Sequence, residues 1–346
     1  MRTLIIIFLM ALALTAMGTP MMRRFAIWIG FVDAPAGRKL HQEPMPLMGG
    51  VAIFGGAILA FIIFFIQFNI TRQVIGIFGA ITLVAAVGLI DDRLGLAARY
   101  KLLGQLLGVL ILIYTGVYVQ LPFPAWLNYL VTAVWIIGIS NAINFLDNMD
   151  GLSAGVSAVA AAFIVLIGAI NGQYLVASMA AAVFGACLGF LRHNFKPATI
   201  FMGDAGALFL GFILAILALQ LRFPQNDNVV TWMVPVLILG MPIFDTTLVI
   251  ISRSRRGVNP LTTAGKDHTS HRLVELGFGQ REAVLVLYLF SGMFGMVAMF
   301  ITQASPVDAY SIGAVVAAGG LYLIWHLERW RDQQKAKAAE KQTLSN

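Results

Sequence analysis

Long apolar runs separated by short polar connectors fill this chain from end to end. Runs near residues 3–19, 47–67, 73–90, 101–119, 126–143, 152–170, 174–191, 206–222, 230–251, 283–303 and 309–327 match the roughly 17–25 residues of a membrane-crossing helix. The pattern predicts an all-α, polytopic membrane helix bundle with about eleven transmembrane helices. Its connectors fall into two sets. Short, Gly- and Pro-marked ones at 67–72, 120–124, 171–173, 223–228 and 303–308 belong to one side. The other side takes 20–46, 91–100, 144–151, 192–205, 252–282 and the segment after Leu327.

Charge orients this frame. The second set, with Lys101 at its rim, holds twenty of the 23 lysines and arginines; only Arg2, Arg72 and Arg222 lie elsewhere. The positive-inside rule makes that face cytoplasmic, with the N-terminus outside and the C-terminus inside. This requires an odd number of spans, which eleven satisfies. Arg2 alone, with no small-x-small cleavage pattern, favours a retained first span over a removed signal peptide. Residues 1–327 then form one transmembrane domain, followed by a basic cytoplasmic tail at 328–346, where charges alternate with Ala and Gln.

Composition supports the same frame. The chain is 59% hydrophobic and 11% charged, against about 25% charged in soluble domains. A net charge of +7 is accounted for by topology, so no nucleic-acid partner is implied. The single cysteine, Cys187, excludes a disulfide framework and a Cys-based zinc site. Gly104 and Gly108, four residues apart, permit close helix packing within the chain or in a homodimer.

The carboxylates are where chemistry enters. Asp91-Asp92 closes the third run, Asp147 and Asp150 stand in N-A-I-N-F-L-D-N-M-D-G-L after the fifth, and Asp204 stands in F-M-G-D-A-G-A-L before the eighth. All five fall on the same predicted face. A transporter would place its ionisable groups within the spans, where only Asp245 lies. Asn144, Asp147 and Asp150, at three-residue steps, lie near one helical face; the plainer alternative is a polar loop capping two spans. Oxygen-rich sites suit Mg²⁺, held by one or two carboxylates plus substrate phosphates. Asp204 at a helix start can ligate a metal or cap the helix, and the two roles are compatible. The adjacent Asp91 and Asp92 repel unless a cation intervenes, and each is a candidate general base or ligand. Lys101 is positioned to meet a phosphate or to snorkel to the interface.

A second chemical segment is R-S-R-R-G-V-N-P-L-T-T-A-G-K-D-H-T-S-H-R-L, which gathers Lys266, His268, His271 and Arg272. Zinc would need a third ligand that no motif spacing supplies. A pyrophosphate-binding loop with a forked arginine fits better; simple attraction to anionic lipid is the alternative. Arg38, Lys39 and His41 in G-R-K-L-H repeat the design on a smaller scale. His193 and His326 suggest interface roles only.

D-D-R-L-G-L-x-x-R-Y-K-L-L, N-A-I-N-F-L-D-N-M-D-G-L, F-M-G-D-A-G-A-L and H-T-S-H-R-L together resemble the polyprenyl-phosphate N-acetylhexosamine-1-phosphate transferases, in the same order from about residue 37 to 290. The resemblance implies transfer of a sugar-1-phosphate from a UDP-sugar to a polyprenyl phosphate in the bacterial cytoplasmic membrane. UMP is released and Mg²⁺ is required, with Mn²⁺ as a substitute. It makes Asp204 the principal metal ligand with help from Asn144, and sets Asn144, Asp147 and Asp150 around nucleotide or metal. It places Lys101 on phosphate and relates Asp91 and Asp92 to activation of the lipid phosphate. Lys39, His268, His271 and Arg272 join the substrate-binding set.

H-T-S-H-R-L-V-E and an eleventh span resemble the branch using UDP-GlcNAc for teichoic acid, O-antigen or related polymers. The muramoyl-pentapeptide branch instead carries an H-H-H-F-E-like run. Ser270 stands where many members have a third histidine, which concerns the sugar contacts more than the reaction. A phosphomonoester is already largely ionised at neutral pH, so direct attack by the lipid is expected over a phospho-aspartyl intermediate. The competing expectations are the muramoyl-pentapeptide enzyme, an ion- or proton-coupled transporter and a membrane scaffold.

Overall fold

The computed structural model describes residues 1–33, 44–65, 71–260, 263 and 265–345, with the side chains of 64–65 and 335–345 left aside. Lys39, together with Arg38 and His41, lies outside the described residues. Of the described residues, 79% are helical. In order it forms α1 (Arg2–Trp28), a short antiparallel pair β1 (Val32–Asp33) and β2 (Met45–Pro46), α2 (Gly49–Phe65), α3 (Arg72–Leu94), α4 (Ala98–Thr115), α5 (Ala125–Leu146), α6 (Leu152–Ile170) and α7 (Tyr174–Asn194). There follow α8 (Gly203–Gln220), α9 (Asn228–Thr231), α10 (Met233–Ile238), α11 (Gly240–Arg255), α12 (Thr269–Glu275), α13 (Gln280–Ile301) and α14 (Pro306–Ser345).

Against about eleven expected spans, nine helices among the described residues are long and apolar enough to cross a membrane. Counting the bent α9–α10 and α11 pair as one span makes ten. That pair bends by 74°, and the sequence explains why. Pro235 lacks the amide that would continue the helix, Gly240 restarts it, and Pro242 sits in the first turn of α11, where an amide would have no partner anyway. Among the described residues, the apolar helix Gly49–Ile63 is shorter than these nine.

Burial decides which helix is central. α8 is apolar on every side, and each residue from Ala205 to Leu219 is buried, as expected of a helix without a polar face. It packs against α2, α3, α5 and α6, while α1 packs on α2 and α7, and α13 on α6 and α10. The outer helices carry large exposed apolar side chains such as Leu110, Val134, Leu289, Met296 and Val315, the surface expected to face lipid.

Loops of the second connector set meet at one end of this bundle. The Arg93 guanidinium donates to the Gly30 carbonyl, Arg23 to the Thr199 carbonyl, and Arg281 to the Lys196 carbonyl. The Phe201 amide donates to Pro46 O, and the Gly49 and Gly50 amides donate to Phe201 O and Met202 O. The start of α8 is thereby fixed between α2 and α3. The boundary expected at 327/328 falls inside the continuous helix α14.

Candidate active site

The site begins where α3 ends against the start of α8. An α-helix N-terminus presents unpaired amides, and α8 begins without a capping side chain of its own. Asp92 supplies the cap from α3: its two carboxylate oxygens accept the amides of Asp204 at 2.7 Å and Ala205 at 3.1 Å. The approach requires Gly203, whose φ is +70° and whose missing Cβ would lie 2.5 Å from Asp92 Oδ2. Asp92 therefore holds Asp204 in place with both of its oxygens.

From Asp204 a polar chain crosses four helices. Lys101 on α4 donates to Asp204 Oδ2 at 2.8 Å and to Asp91 Oδ2 at 3.0 Å. Asn144 on α5 donates to Asp204 Oδ1 at 2.9 Å. Asp91 Oδ1 accepts the Leu96 amide at 2.6 Å, in the tight turn that Gly95 makes in the left-handed region. One turn deeper, Asn141 donates to Gln105 Oε1 at 2.7 Å, which ties α5 to α4. Lys101 and Asp204 each keep a quarter of their side-chain surface exposed.

Asp147 follows α5 directly. Among the described residues its carboxylate has no hydrogen-bond partner, yet part of its surface remains accessible. Burial first, then the charges of Asp204, Asp92 and Asp150, push its carboxyl up to about 7. Asp150 turns away, accepting the Ala198 amide at 3.1 Å. The intervening Gly151 is pinned by Asn194 Oδ1 on its amide and by the Tyr288 hydroxyl on its carbonyl.

The histidine loop docks beside this turn. Ser270 donates to Asn148 Oδ1 at 2.6 Å, so the residue standing in place of a third histidine links α12 to the α5–α6 turn. His268 Nδ1 lies 2.8 Å from Asp245 Oδ2, and the Thr269 amide donates to Asp245 Oδ1 at 2.7 Å. His271 is held low, to about 4, by burial and then by the neighbouring His268 and Lys266, against weaker opposition from Asp245 and Asp267. Its ring is neutral near pH 7.

Arg272 does not reach the acid cluster. It is fully buried and donates to Asp267 O, Ser252 Oγ and Glu328 Oε1. Asp267 is itself enclosed by Arg253, Arg256 and Arg331 at 3.2, 2.8 and 2.6 Å. Burial opposes its ionisation, but these three guanidinium groups prevail and hold the carboxyl well below the usual range.

The structure thus joins Asp91, Asp92, Lys101, Asn144 and Asp204 directly, with Asp147 alongside and Asp150 at the rim. His268 and His271 lie on the adjoining loop, and Arg272 lies behind it. Sequence reading did not assign a role in the site to Asp245, Asn148, Ser252, Asp267 or Glu328. Asp245 had a signal, as the one carboxylate inside an apolar run; Glu328 had none beyond its place in a charged tail.

The donor set at the cluster is all oxygen. Among the described residues no three His, Cys, Asp or Glu side chains gather into a ready cage. Four aspartates face one lysine there, which leaves negative charge for a hard cation to offset. One or two carboxylates, completed by water and phosphate oxygens, is the mode Mg²⁺ favours, and Asp204, Asp147 and Asn144 fit it.

Comparison with known proteins gives a consistent result. Residues 74–222 match the family described as glycosyl transferase family 4. The chain is 37% identical over 318 residues to a probable undecaprenyl-phosphate N-acetylglucosaminyl 1-phosphate transferase of Bacillus subtilis, covering 88% of this chain and 87% of the relative. It is 31% identical over 369 residues to a decaprenyl-phosphate N-acetylglucosaminephosphotransferase of Mycobacterium tuberculosis, with 96% and 91% covered. A phospho-N-acetylmuramoyl-pentapeptide-transferase of Bacillus anthracis is 32% identical over 238 residues, with 62% and 73% covered.

Proposed function

The chain belongs to the polyprenyl-phosphate N-acetylhexosamine-1-phosphate transferases, in the undecaprenyl- and decaprenyl-phosphate N-acetylglucosaminyl branch, and we propose that it transfers GlcNAc-1-phosphate from UDP-GlcNAc to a polyprenyl phosphate. UMP leaves, and polyprenyl-diphosphate-GlcNAc starts a cell-envelope polymer. The observation that carries the reading is the Asp91–Lys101–Asp204–Asn144 chain at one end of an apolar bundle. It offers a water-soluble diphosphate and a lipid phosphate one charged meeting point. The lysine and arginine distribution supports a cytoplasmic placement of that end, in the bacterial inner membrane, with the N-terminus outside.

Asp204, with Asn144 and Asp147, would hold Mg²⁺, which would supply charge neutralisation for the phosphates and for the departing UMP. Lys101 is a fixed cation between two carboxylates, free to turn one of its three N–H donors to a phosphate. Asp92 keeps Asp204 aimed by capping α8. Because both oxygens of Asp92 and both of Asp91 are already engaged, any general-base role falls to Asp147, whose carboxylate has no partner among the described residues. The lipid phosphate is ionised near neutral pH, so direct in-line attack needs positioning more than a strong base.

Purified protein given undecaprenyl phosphate and each of UDP-GlcNAc, UDP-GalNAc and UDP-MurNAc-pentapeptide distinguishes the branches. UMP release with UDP-GlcNAc is expected. Turnover of the pentapeptide nucleotide alone would overturn the substrate assignment, and no turnover with any of them would overturn the activity.

A further inference from the structure

Asp245 is the one carboxylate within an apolar run, and the transfer mechanism above does not use it. We infer that Asp245 is a positioning residue for the reaction: through His268 Nδ1 it fixes the imidazole so that Nε2 faces the donor nucleotide's phosphate or sugar oxygens. This inference rests on the transferase reading and extends it to one residue on α11.

Three observations carry it. First, Asp245 is wholly buried on α11, and both its oxygens are used, one by His268 Nδ1 at 2.8 Å and one by the Thr269 amide at 2.7 Å. An ionised carboxylate only accepts, so the shared proton belongs to Nδ1 and the ring's other nitrogen is left to act. Second, His268 is nearly buried, yet its Nε2 has no protein partner among the described residues and is not among the enclosed, unsatisfied atoms. That nitrogen is therefore the edge of an otherwise enclosed ring that the described residues leave unoccupied. Third, Ser270 docks the same short helix on Asn148, between Asp147 and Asp150. The ring is thereby carried by the segment that lies beside the acid cluster.

A cap alone does not explain the choice of residue. An asparagine oxygen would accept the Thr269 amide equally well, and a neutral amide is far easier to bury than a charge. The carboxylate is required by the second bond, to a ring whose proton position and orientation matter.

The test uses the full-length protein with UDP-GlcNAc and undecaprenyl phosphate. Asp245→Asn, nearly the same shape, should elute as wild type and lower kcat/KM roughly 100-fold, the scale on which loss of a histidine-orienting partner acts. His268→Gln should cost as much. Adding Asp245→Asn to His268→Gln should change kcat/KM by less than about threefold, because the two act as a unit. Solid-state ¹⁵N spectra of histidine-labelled protein provide a readout separate from turnover. Wild type should show one ring locked as the Nδ1–H tautomer, absent from His268→Gln and unlocked in Asp245→Asn. Full activity of Asp245→Asn, multiplying losses in the double variant, or a wild-type spectrum without that tautomer would each overturn the inference. Wild-type protein silent with every UDP-sugar would overturn the transferase reading itself, and the positioning role with it.

Discussion

Two charged regions meet at one end of this bundle, and they are built on opposite plans. Among the described residues around Asp204, aspartates outnumber the single Lys101, surfaces stay partly open, and the Asp147 carboxylate lacks a partner. Around Asp267, every carboxylate is answered from within, by five arginines to three acids. Three arginines enclose Asp267, Glu328 takes Arg272 and Arg255, and Asp332 takes Arg255 as well. The site proposed to receive a cation and two phosphates is left short of positive charge. In the scaffold that holds the histidine loop, each carboxylate is paired with arginine in advance. Clustered charge by itself therefore does not identify a binding site; carboxylates left short of cations point to one for a metal ion.

If this contrast is right, substitutions in the two regions fail in different ways. Asp204→Asn should reduce UMP release roughly 1000-fold at saturating Mg²⁺ while leaving the thermal unfolding midpoint within a few degrees of wild type. Lys101→Ala should follow at roughly 100-fold, again without unfolding. Asp267→Ala should instead act on the fold, because it leaves three guanidinium groups facing one another in a buried setting. A loss of roughly 3–5 kcal/mol is expected when a buried pair loses one partner, read as a lowered midpoint in detergent. The pH dependence has a definite sign. A carboxyl held below its ordinary range contributes stability at every pH above about 4, and that contribution is lost as pH falls toward its folded value. Acidification below that point should therefore weaken wild type more than Asp267→Ala.

A truncation sharpens the boundary between the regions. Stopping after Gln333 retains Glu328, Arg331 and Asp332 and should leave activity near wild type. Stopping after Leu327 removes them and should cost most of it, because Arg272 and Asp267 lose partners. The smallest effect is expected at His271. Its ring is neutral near pH 7, so His271→Gln should raise KM for UDP-GlcNAc by roughly fivefold and leave kcat almost unchanged.

Much of the acid cluster is legible in the sequence. Motif residues at helix ends announced themselves as carboxylates where apolar runs stop, and Asp91, Lys101, Asn144 and Asp204 do meet. Division of labour was not legible. Whether Asp91 or Asp92 faces α8 depends on a 100° step around α3 and on the space left by Gly203, which spacing alone cannot resolve. Arg272 read as a phosphate fork because its buried partner, Glu328, lies 56 residues away on a helix that looked like a tail. The broken α9–α11 segment read as one span because its composition is continuous, although Pro235, Gly240 and Pro242 interrupt its amide ladder. Pairings between distant segments are set by packing of α8, α11 and α14, and no local pattern encodes them.

The central claim is that the charge imbalance at Asp204 receives a divalent cation, and Mn²⁺ binding followed by electron paramagnetic resonance tests it most directly. Wild-type protein with UDP-GlcNAc should immobilise one Mn²⁺ that Mg²⁺ displaces. Asp204→Asn should lose that signal, and His268→Gln should keep it. An Asp204→Asn protein that is folded and binds Mn²⁺ as tightly as wild type would contradict the account.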